Sequence, residues 1–206
     1  MDGHDLLPSL NRRGFMIGAA GLTFGFALAS PQAALGASAK QKVLSPWVTI
    51  STDGTIAIMS PAVEMGEGSF TALPVIVAEE LDADWSMVRV VPAPPIDAIY
   101  ANPGFGYMYT ASSNAVTTYF TPLRRFGAQV RKVLLANAAQ HWGVPPAELT
   151  TAPSVVIHEK SGRRLSYGAI AAFAEVPPQA PEVKDDELKP KSKFRLIGHS
   201  VMRVEL

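Results

Sequence analysis

The sequence has 206 residues, 48% of them hydrophobic and 17% charged, and its 18 Lys and Arg balance 18 Asp and Glu. Zero net charge argues against a nucleic-acid partner, because phosphate contacts need a basic excess. The chain has no Cys, so we expect no disulfide, no cysteine zinc site, no iron–sulfur cluster and no covalent haem in it.

Residues 1–39 differ from the rest of the chain and predict an export signal. Arg12 and Arg13 precede an uncharged apolar run, and small-residue A-x-A sites lie at 27–29 and 37–39. These three features are typical of a secretory signal, and the arginine pair before a Gly-rich run is typical of the twin-arginine route. We therefore expect a periplasmic protein. A general secretion signal and an uncleaved N-terminal anchor are the alternatives.

Hydrophobic periodicity after the signal predicts an α+β fold. The first predicted elements are a β-hairpin over 47–59, a glycine loop over 64–69, a helix that begins near Ser69–Thr71 and ends at 82–86, and a strand over 87–91. Pro74 fits this helix only near its start, since an internal proline removes a backbone donor.

The second half of the chain begins with an irregular segment, 94–109. The longest helix then follows, with Thr121 as its N-cap and Pro122 at its first position. After it come a rigid connection over 144–149, a hairpin formed by Val155–His158 and Arg163–Ser166, a short helix over 166–170, a linker over 177–193, and an apolar fragment, 196–206, without a predicted partner.

The glycine loop is the first candidate binding element. Glycines allow a ligand to approach the backbone closely, and the N–H groups at the start of the following helix favour an anion. The polar cluster over 110–114 could add hydroxyl donors to the same ligand. An ordinary tight turn and a Ser/Thr-rich cap are the alternatives for these two segments.

No catalytic set of residues stands out elsewhere. The four histidines are isolated in the sequence, and His158 and His199 are expected to have surface or strand roles. The acidic residues Glu79, Glu80 and Asp82 are expected to form a solvated face of the first helix.

The glycine loop and its helix carry motifs that point to a family. They read Glu64-Met65-Gly66-Glu67-Gly68, Thr71-Ala72-Leu73, Ala78-Glu79-Glu80-Leu81, Asp84-Trp85 and Val88-Arg89-Val90. In this order they resemble the E-M-G-Q-G…T-A-L…A-E-E-L…D-W…V-R-V stretch of the molybdopterin-binding large subunit of molybdenum hydroxylases (xanthine dehydrogenase/aldehyde oxidase family). The isoquinoline 1-oxidoreductase beta subunit and the membrane-bound aldehyde dehydrogenases are the similar types.

The resemblance implies hydroxylation of an aldehyde or N-heterocycle with water-derived oxygen at a molybdopterin cofactor. It also implies three partners, namely the remaining portion of the large subunit, a small iron–sulfur subunit and, in membrane-bound types, a cytochrome c subunit that would associate the protein with the membrane. By position, the cofactor contacts carry over to Met65, Gly66, Glu67, Gly68, Thr71, Ala111, Ser112 and Ser113. No residue is assigned a catalytic or metal-binding role.

Three departures from the family pattern bear on these expectations. Glu67 stands where the family has Gln, and an ionised carboxylate cannot donate to a cofactor oxygen. Either Glu67 is protonated, or its charge lowers the affinity for an anionic cofactor. Ala111 and Ser112 stand where the family has a Gly-Gly pair. The chain is also several times shorter than the family's large subunits, so the catalytic glutamate and substrate pocket are expected in segments that it lacks.

These observations predict residues 40–176 to be the N-terminal part of a molybdopterin-binding domain and 177–206 to be a linker and the start of a missing segment. The expected function is that of the N-terminal portion of an exported hydroxylase large subunit, inactive and poorly soluble alone, which shares its cofactor with the missing segments. A periplasmic non-catalytic binding or assembly module and a truncated remnant are the alternatives.

Overall fold

The computed structural model describes residues 47–177 and 179–204, together with the backbone of 21–24. The described part contains two small sheets and two long helices, and the predicted α+β class is confirmed. None of its helices is long and apolar enough to cross a membrane.

The first sheet has four strands in the order β1–β2–β3–β4. The strands are β1 (Gly21–Phe24), β2 (Val48–Ser51), β3 (Ile56–Ser60) and β4 (Val88–Pro92). β2 and β3 form the predicted antiparallel hairpin, whereas β3 and β4 pair in parallel. The parallel pair needs a crossover, and the glycine loop and the first helix provide it.

β1 lies inside the predicted export signal. Its backbone pairs antiparallel with β2, with Gly21 opposite Ser51 and Phe24 opposite Val48. The arginine pair, Arg12 and Arg13, lies outside the described residues. If the signal is removed, the outer edge of β2 loses the backbone partner that β1 provides.

The helices are α1 (Ser69–Leu81), α2 (Asp97–Tyr100), α3 (Ala115–Trp142) and α4 (Tyr167–Ala171). α1 and α3 pack closely because Gly127 has no side chain. A Cβ at Gly127 would lie 2.5 Å from the Val77 carbonyl oxygen and 2.9 Å from the Glu80 Cβ, which is too close for any other residue.

α3 begins earlier than predicted. Its N-cap is Asn114, and Pro122 lies in its interior, so the prediction of Thr121 as N-cap is wrong. An internal proline costs about 3 kcal/mol or more. The added turns bury Tyr119, whose hydroxyl donates to the Tyr100 carbonyl oxygen at 2.7 Å, and this packing offsets the loss.

The second sheet is antiparallel, in the order β5–β6–β7. Its strands are β5 (Leu149–Ala152), β6 (Val155–His158) and β7 (Arg163–Ser166). The β6–β7 hairpin and the short helix after it were predicted, whereas β5 was not. Single 3₁₀ turns cover Trp85–Met87, Pro146–Glu148, Glu159–Ser161, Asp185–Glu187 and Lys191–Lys193.

Residues 184–204, the C-terminal strap, run back along α1. Near the end of the helix, Arg195 forms an ion pair with Asp82 at 2.6 Å. Near its start, the Val204 N–H donates to the Thr71 hydroxyl oxygen at 3.0 Å. The strap therefore touches both ends of α1.

This packing differs from the expectation of a linker followed by an apolar fragment without a partner. Leu196 is buried in the core cluster, and Ile197 and Val201 pack against that cluster. The partner of the apolar fragment, over the part that the structure describes, is this chain's own first helix.

Candidate functional site

The glycine loop between β3 and α1 depends on two glycines. Gly66 and Gly68 have φ values of 102° and 82°, a left-handed region that residues with a Cβ rarely adopt. This backbone turns the N–H groups of the loop inward, toward the side chains of the loop's own acidic residues.

Glu64 accepts most of these N–H groups. Its Oε1 accepts from Gly66 and from Gly68, each at 2.8 Å, and its Oε2 accepts from Phe70 at 3.1 Å. The guanidinium of Arg203, from the strap, lies 3.6 Å from Oε1. The donors that the sequence assigns to a ligand are therefore bonded to a carboxylate of the same loop.

Glu67 also bonds within the loop. Its Oε2 accepts from the Met65 N–H at 2.7 Å, and its Oε1 accepts from the Ser69 hydroxyl. The bond from Ser69 lowers the pKa of Glu67 below its ordinary value and outweighs the small effect of burial. Glu67 is thus ionised at neutral pH, so the alternative of a protonated Glu67 is wrong for this structure.

The polar cluster forms a tight turn before α3. Ser112 and Ser113 have φ values of 56° and 53°, and the Asn114 N–H donates to the Ala111 carbonyl oxygen at 3.3 Å. Two central residues with positive φ are the pattern of a type I′ turn, which Gly, Asn and Asp dominate. Two serines in these conformations store backbone strain at this turn.

The glycine loop and the serine turn meet around one open cavity of about 450 Å³. The Val63 N–H donates to the Thr110 hydroxyl oxygen at 3.0 Å and joins the two segments, which are 47 residues apart. The lining consists of Met65, Glu67, Ser69, Thr110, Ala111, Ser112, Ser113, Asn114, Ala115 and Val116.

Five of the eight residues assigned to the cofactor therefore surround this cavity, and three do not. Gly66 does not line it. Gly68 and Thr71 line a second cleft, of about 320 Å³, between α1 and the strap. Thr71 is 4% exposed, and its hydroxyl oxygen accepts from Val204. Within the described residues, the structure thus directs Thr71 toward the strap.

The charge on the cavity wall is negative. Glu67 is the one charged residue among the described lining residues, and it is ionised. The remaining polar groups are hydroxyls, which donate or accept, and one amide. This set suits an uncharged ligand that carries N–H or O–H donors, and it does not suit an anion.

The sequence analysis missed a second acidic cluster, at the other end of α1. Glu79 and Glu80 are fully buried and Asp82 is 5% exposed, so the expectation of a solvated face is wrong. The signal available in the sequence was the unbroken apolar run Val75–Ala78 directly before them, since a helix that is apolar all round is buried.

Glu79 holds the strap by its backbone. Its Oε2 accepts from the N–H groups of Arg195, Leu196 and Ile197 at 2.8, 2.7 and 3.1 Å, and Lys189 lies 3.2 Å from Oε1. Burial acts to raise the pKa of Glu79, but these hydrogen bonds outweigh it and leave the pKa below its ordinary value.

Glu80 and Asp82 have cations as partners. Arg124 of α3 lies 2.7 Å from Glu80, and Lys189 and Arg195 lie 2.9 and 2.6 Å from Asp82. Burial acts to raise the pKa of Asp82, whereas its bond with Lys189 and the charge of that residue lower the pKa overall. The cluster therefore joins α1, α3 and the strap.

Metal binding by protein side chains has no support in the described ranges. They contain no group of three or more His, Cys, Asp or Glu residues that could hold a metal ion. His158 is buried on β6, where its ring contacts Ser161 and Glu148 at 2.7 and 3.0 Å.

Comparison with known families gives one match over nearly the whole chain. A model of the molybdopterin cofactor-binding domain matches residues 10–203. This range includes the glycine loop, the serine turn and most of the strap.

Three curated proteins are similar in sequence. The chain is 44% identical to the beta subunit of isoquinoline 1-oxidoreductase of Brevundimonas diminuta, over 84% of this chain and 23% of that protein. It is 33% identical to the membrane-bound aldehyde dehydrogenase [pyrroloquinoline-quinone] of Gluconacetobacter polyoxogenes, over 98% and 26%. It is 31% identical to a nicotinate dehydrogenase subunit of Pseudomonas putida KT2440, over 81% and 13%. The chain thus spans about a quarter or less of these relatives.

Proposed function

The chain belongs to the family of molybdopterin cofactor-binding domains, and from this premise we propose that it is the N-terminal portion of an exported molybdenum hydroxylase large subunit. The proposed reaction is oxidation of an aldehyde or N-heterocycle with water-derived oxygen. The similar proteins named for isoquinoline, aldehyde and nicotinate support this substrate class. The portion contributes one wall of the cofactor site and is inactive alone.

The cavity between the glycine loop and the serine turn carries this proposal. Two segments 47 residues apart, which the family resemblance assigns to one cofactor, line the same 450 Å³ space. An unrelated tight turn and an unrelated helix cap would have no reason to meet there.

The lining of the cavity fits the pterin ring system and does not fit the cofactor's phosphate. A pterin edge bears N–H donors and ring acceptors, which match the Glu67 carboxylate and the hydroxyls of Ser112 and Ser113. A phosphate would meet the charge of Glu67 with no cation among the described lining residues. We therefore assign the ring system to this cavity and the phosphate to another part of the assembly.

Each residue has a limited role in this proposal. When bound, the molybdenum cofactor supplies the redox chemistry of the hydroxylation. Glu67 accepts hydrogen bonds from the ring edge, and Ser112 and Ser113 orient the ring through their hydroxyls. The described cavity is open on one side, so the exclusion of water falls to the partner surface that covers it.

The proposed partners are the remaining portion of the large subunit, a small iron–sulfur subunit and a cytochrome c subunit. Two of the relatives are themselves named as subunits, which supports a multi-subunit assembly. The proposed location is the periplasm, reached by the twin-arginine route, and Arg12 and Arg13 support it.

Molybdenum per chain tests the proposal. The full chain is tagged at its C-terminus, purified from its native host and examined by elemental analysis. We expect near-stoichiometric molybdenum together with larger co-purifying chains. A chain without molybdenum and without co-purifying chains would contradict the proposal.

A non-catalytic binding or assembly module in the periplasm is the second candidate. The self-bonded glycine loop favours it, since Glu64 and Glu67 occupy donors that a cofactor could otherwise use. Co-purifying chains without molybdenum would support this candidate over the hydroxylase.

A further inference from the structure

The glycine loop carries its own anion. Three N–H groups, those of Gly66, Gly68 and Phe70, converge on the Glu64 carboxylate within 3.1 Å. The N–H groups at the start of a helix lack partners within the helix and attract negative charge. An external phosphate usually fills such a position. Here the negative charge belongs to a residue only two to six positions away in the chain.

The position of Glu64 is stabilised by more than the loop. Arg203 of the strap lies 3.6 Å from the same carboxylate oxygen that Gly66 and Gly68 contact. Hydrogen bonds to an ionised acceptor are roughly twice as strong as neutral ones. An external anion would have to displace a tethered carboxylate that already has a cation and three donors.

The loop geometry in turn fixes Glu67. Met65, whose N–H donates to the Glu67 carboxylate, lies between Glu64 and the first glycine that Glu64 contacts. The backbone that presents Glu67 to the cavity is therefore the backbone that Glu64 holds in place.

We propose that Glu64 is a positioning residue that fills the anion position of the glycine loop, so that the loop excludes phosphate and presents the Glu67 carboxylate to the cavity. The exclusion of phosphate stands on the loop alone. The identity of the group that Glu67 meets, the N–H edge of the pterin, rests on the proposed function.

Hydrogen–deuterium exchange of the loop amides, followed by mass spectrometry of the full chain, tests this proposal. The probe is inorganic phosphate, and the variants are Glu64→Ala, Glu64→Gln and Glu159→Ala. Glu159 is an exposed glutamate in the second hairpin, so Glu159→Ala is the matched control. The readout is local, and it applies equally to the isolated chain and to an assembly.

We expect Glu64→Ala to accelerate exchange over the loop and first turn of α1 about tenfold, in the range of a lost helix cap. Phosphate should restore slow exchange in Glu64→Ala in a saturable way, because it fills the vacated position. Phosphate should leave wild type and Glu159→Ala unchanged. Glu64→Gln, which keeps one acceptor oxygen, should lie between wild type and Glu64→Ala.

Two outcomes would overturn the proposal. One is saturable protection of the wild-type loop by phosphate, which would show that Glu64 does not occupy the anion position. The other is equal exchange in wild type and both Glu64 variants. If Glu64→Ala does not fold, Glu64→Gln gives the same comparison. Neither outcome depends on molybdenum content, so failure here is distinguishable from failure of the proposed function.

Discussion

The two ends of α1 use the same chemistry in opposite settings. At its start, the exposed loop carboxylates accept N–H groups beside an open cavity. At its end, Glu79 accepts three N–H groups of the strap in full burial. A negative charge suits the start of a helix and opposes its end. The end therefore needs Lys189, Arg195 and Arg124 beside its carboxylates, whereas the start needs only Arg203.

This difference separates stability from recognition. Removal of one partner from a buried ion network leaves an uncompensated charge and costs several kcal/mol. The exposed carboxylates face water, which screens and replaces their partners. The end of α1 thus holds the fold together, and the start of α1 can present its charge to a ligand.

The largest expected effect is at the buried end. Glu79→Ala leaves three strap N–H groups and Lys189 without their acceptor, and we expect the free energy of unfolding to fall by about 3–5 kcal/mol. Chemical denaturation measures it. The exposed control, Glu159→Ala, should change stability by less than about 0.5 kcal/mol. A loss below about 1 kcal/mol in Glu79→Ala would remove the distinction between the two ends.

Acid should act at the same end. The folded-state pKa values of Glu79 and Asp82 lie below their ordinary values of 4.5 and 3.8. Their contribution to stability is therefore complete above about pH 5 and is lost as the pH falls through the folded-state values. Thermal unfolding between pH 7 and pH 3 measures this loss. Glu79→Gln should flatten the acid slope, and an unchanged slope would contradict the assignment.

The same substitution at the start of α1 should have a smaller effect. Glu64→Ala removes bonds that water can partly replace, and we expect a loss of about 1 kcal/mol, as for a helix cap. Urea denaturation of Glu64→Ala and Glu79→Ala, run side by side, gives the ratio. A Glu64 effect equal to that of Glu79 would mean that both ends are structural.

The smallest expected effect concerns the serine turn. Ser112→Gly relieves a left-handed conformation, which costs a residue with a Cβ about 1–2 kcal/mol, but adds the conformational entropy of glycine. We expect a net gain of about 0.5–1 kcal/mol by thermal unfolding. Ser112→Ala is the control and should show no gain. A Ser112→Gly variant less stable than wild type would show that the turn is not strained.

Local patterns predicted much of this fold and the family. The alternation over 47–59, the start of α1 at Ser69 and the β6–β7 hairpin are confirmed by the structure. The motif order after Glu64 indicated the family that the comparison confirms. Each of these signals is short in sequence, so residues close together in the chain carry it.

The misses depend on contacts between distant residues. The early start of α3 follows from burial of Tyr119 against Tyr100, which overrides the local preference for Pro122 at a helix start. The burial of Glu79 follows from cations more than a hundred residues away. The self-bonded glycine loop follows from side-chain rotamers that no sequence spacing encodes. The assignment of the loop and turn residues to the cofactor stays a prediction.

Molybdenum per chain in a cavity-blocked variant tests the central claim most directly. Ala111 lines the cavity at the serine turn, and Ala111→Trp would fill the space that we assign to the pterin. Wild type, Ala111→Trp and Glu159→Ala are purified from the native host and examined by elemental analysis, with thermal unfolding to verify the fold. The account predicts near-stoichiometric molybdenum in wild type and Glu159→Ala and loss of most of it in Ala111→Trp. Equal molybdenum in all three folded proteins would contradict it.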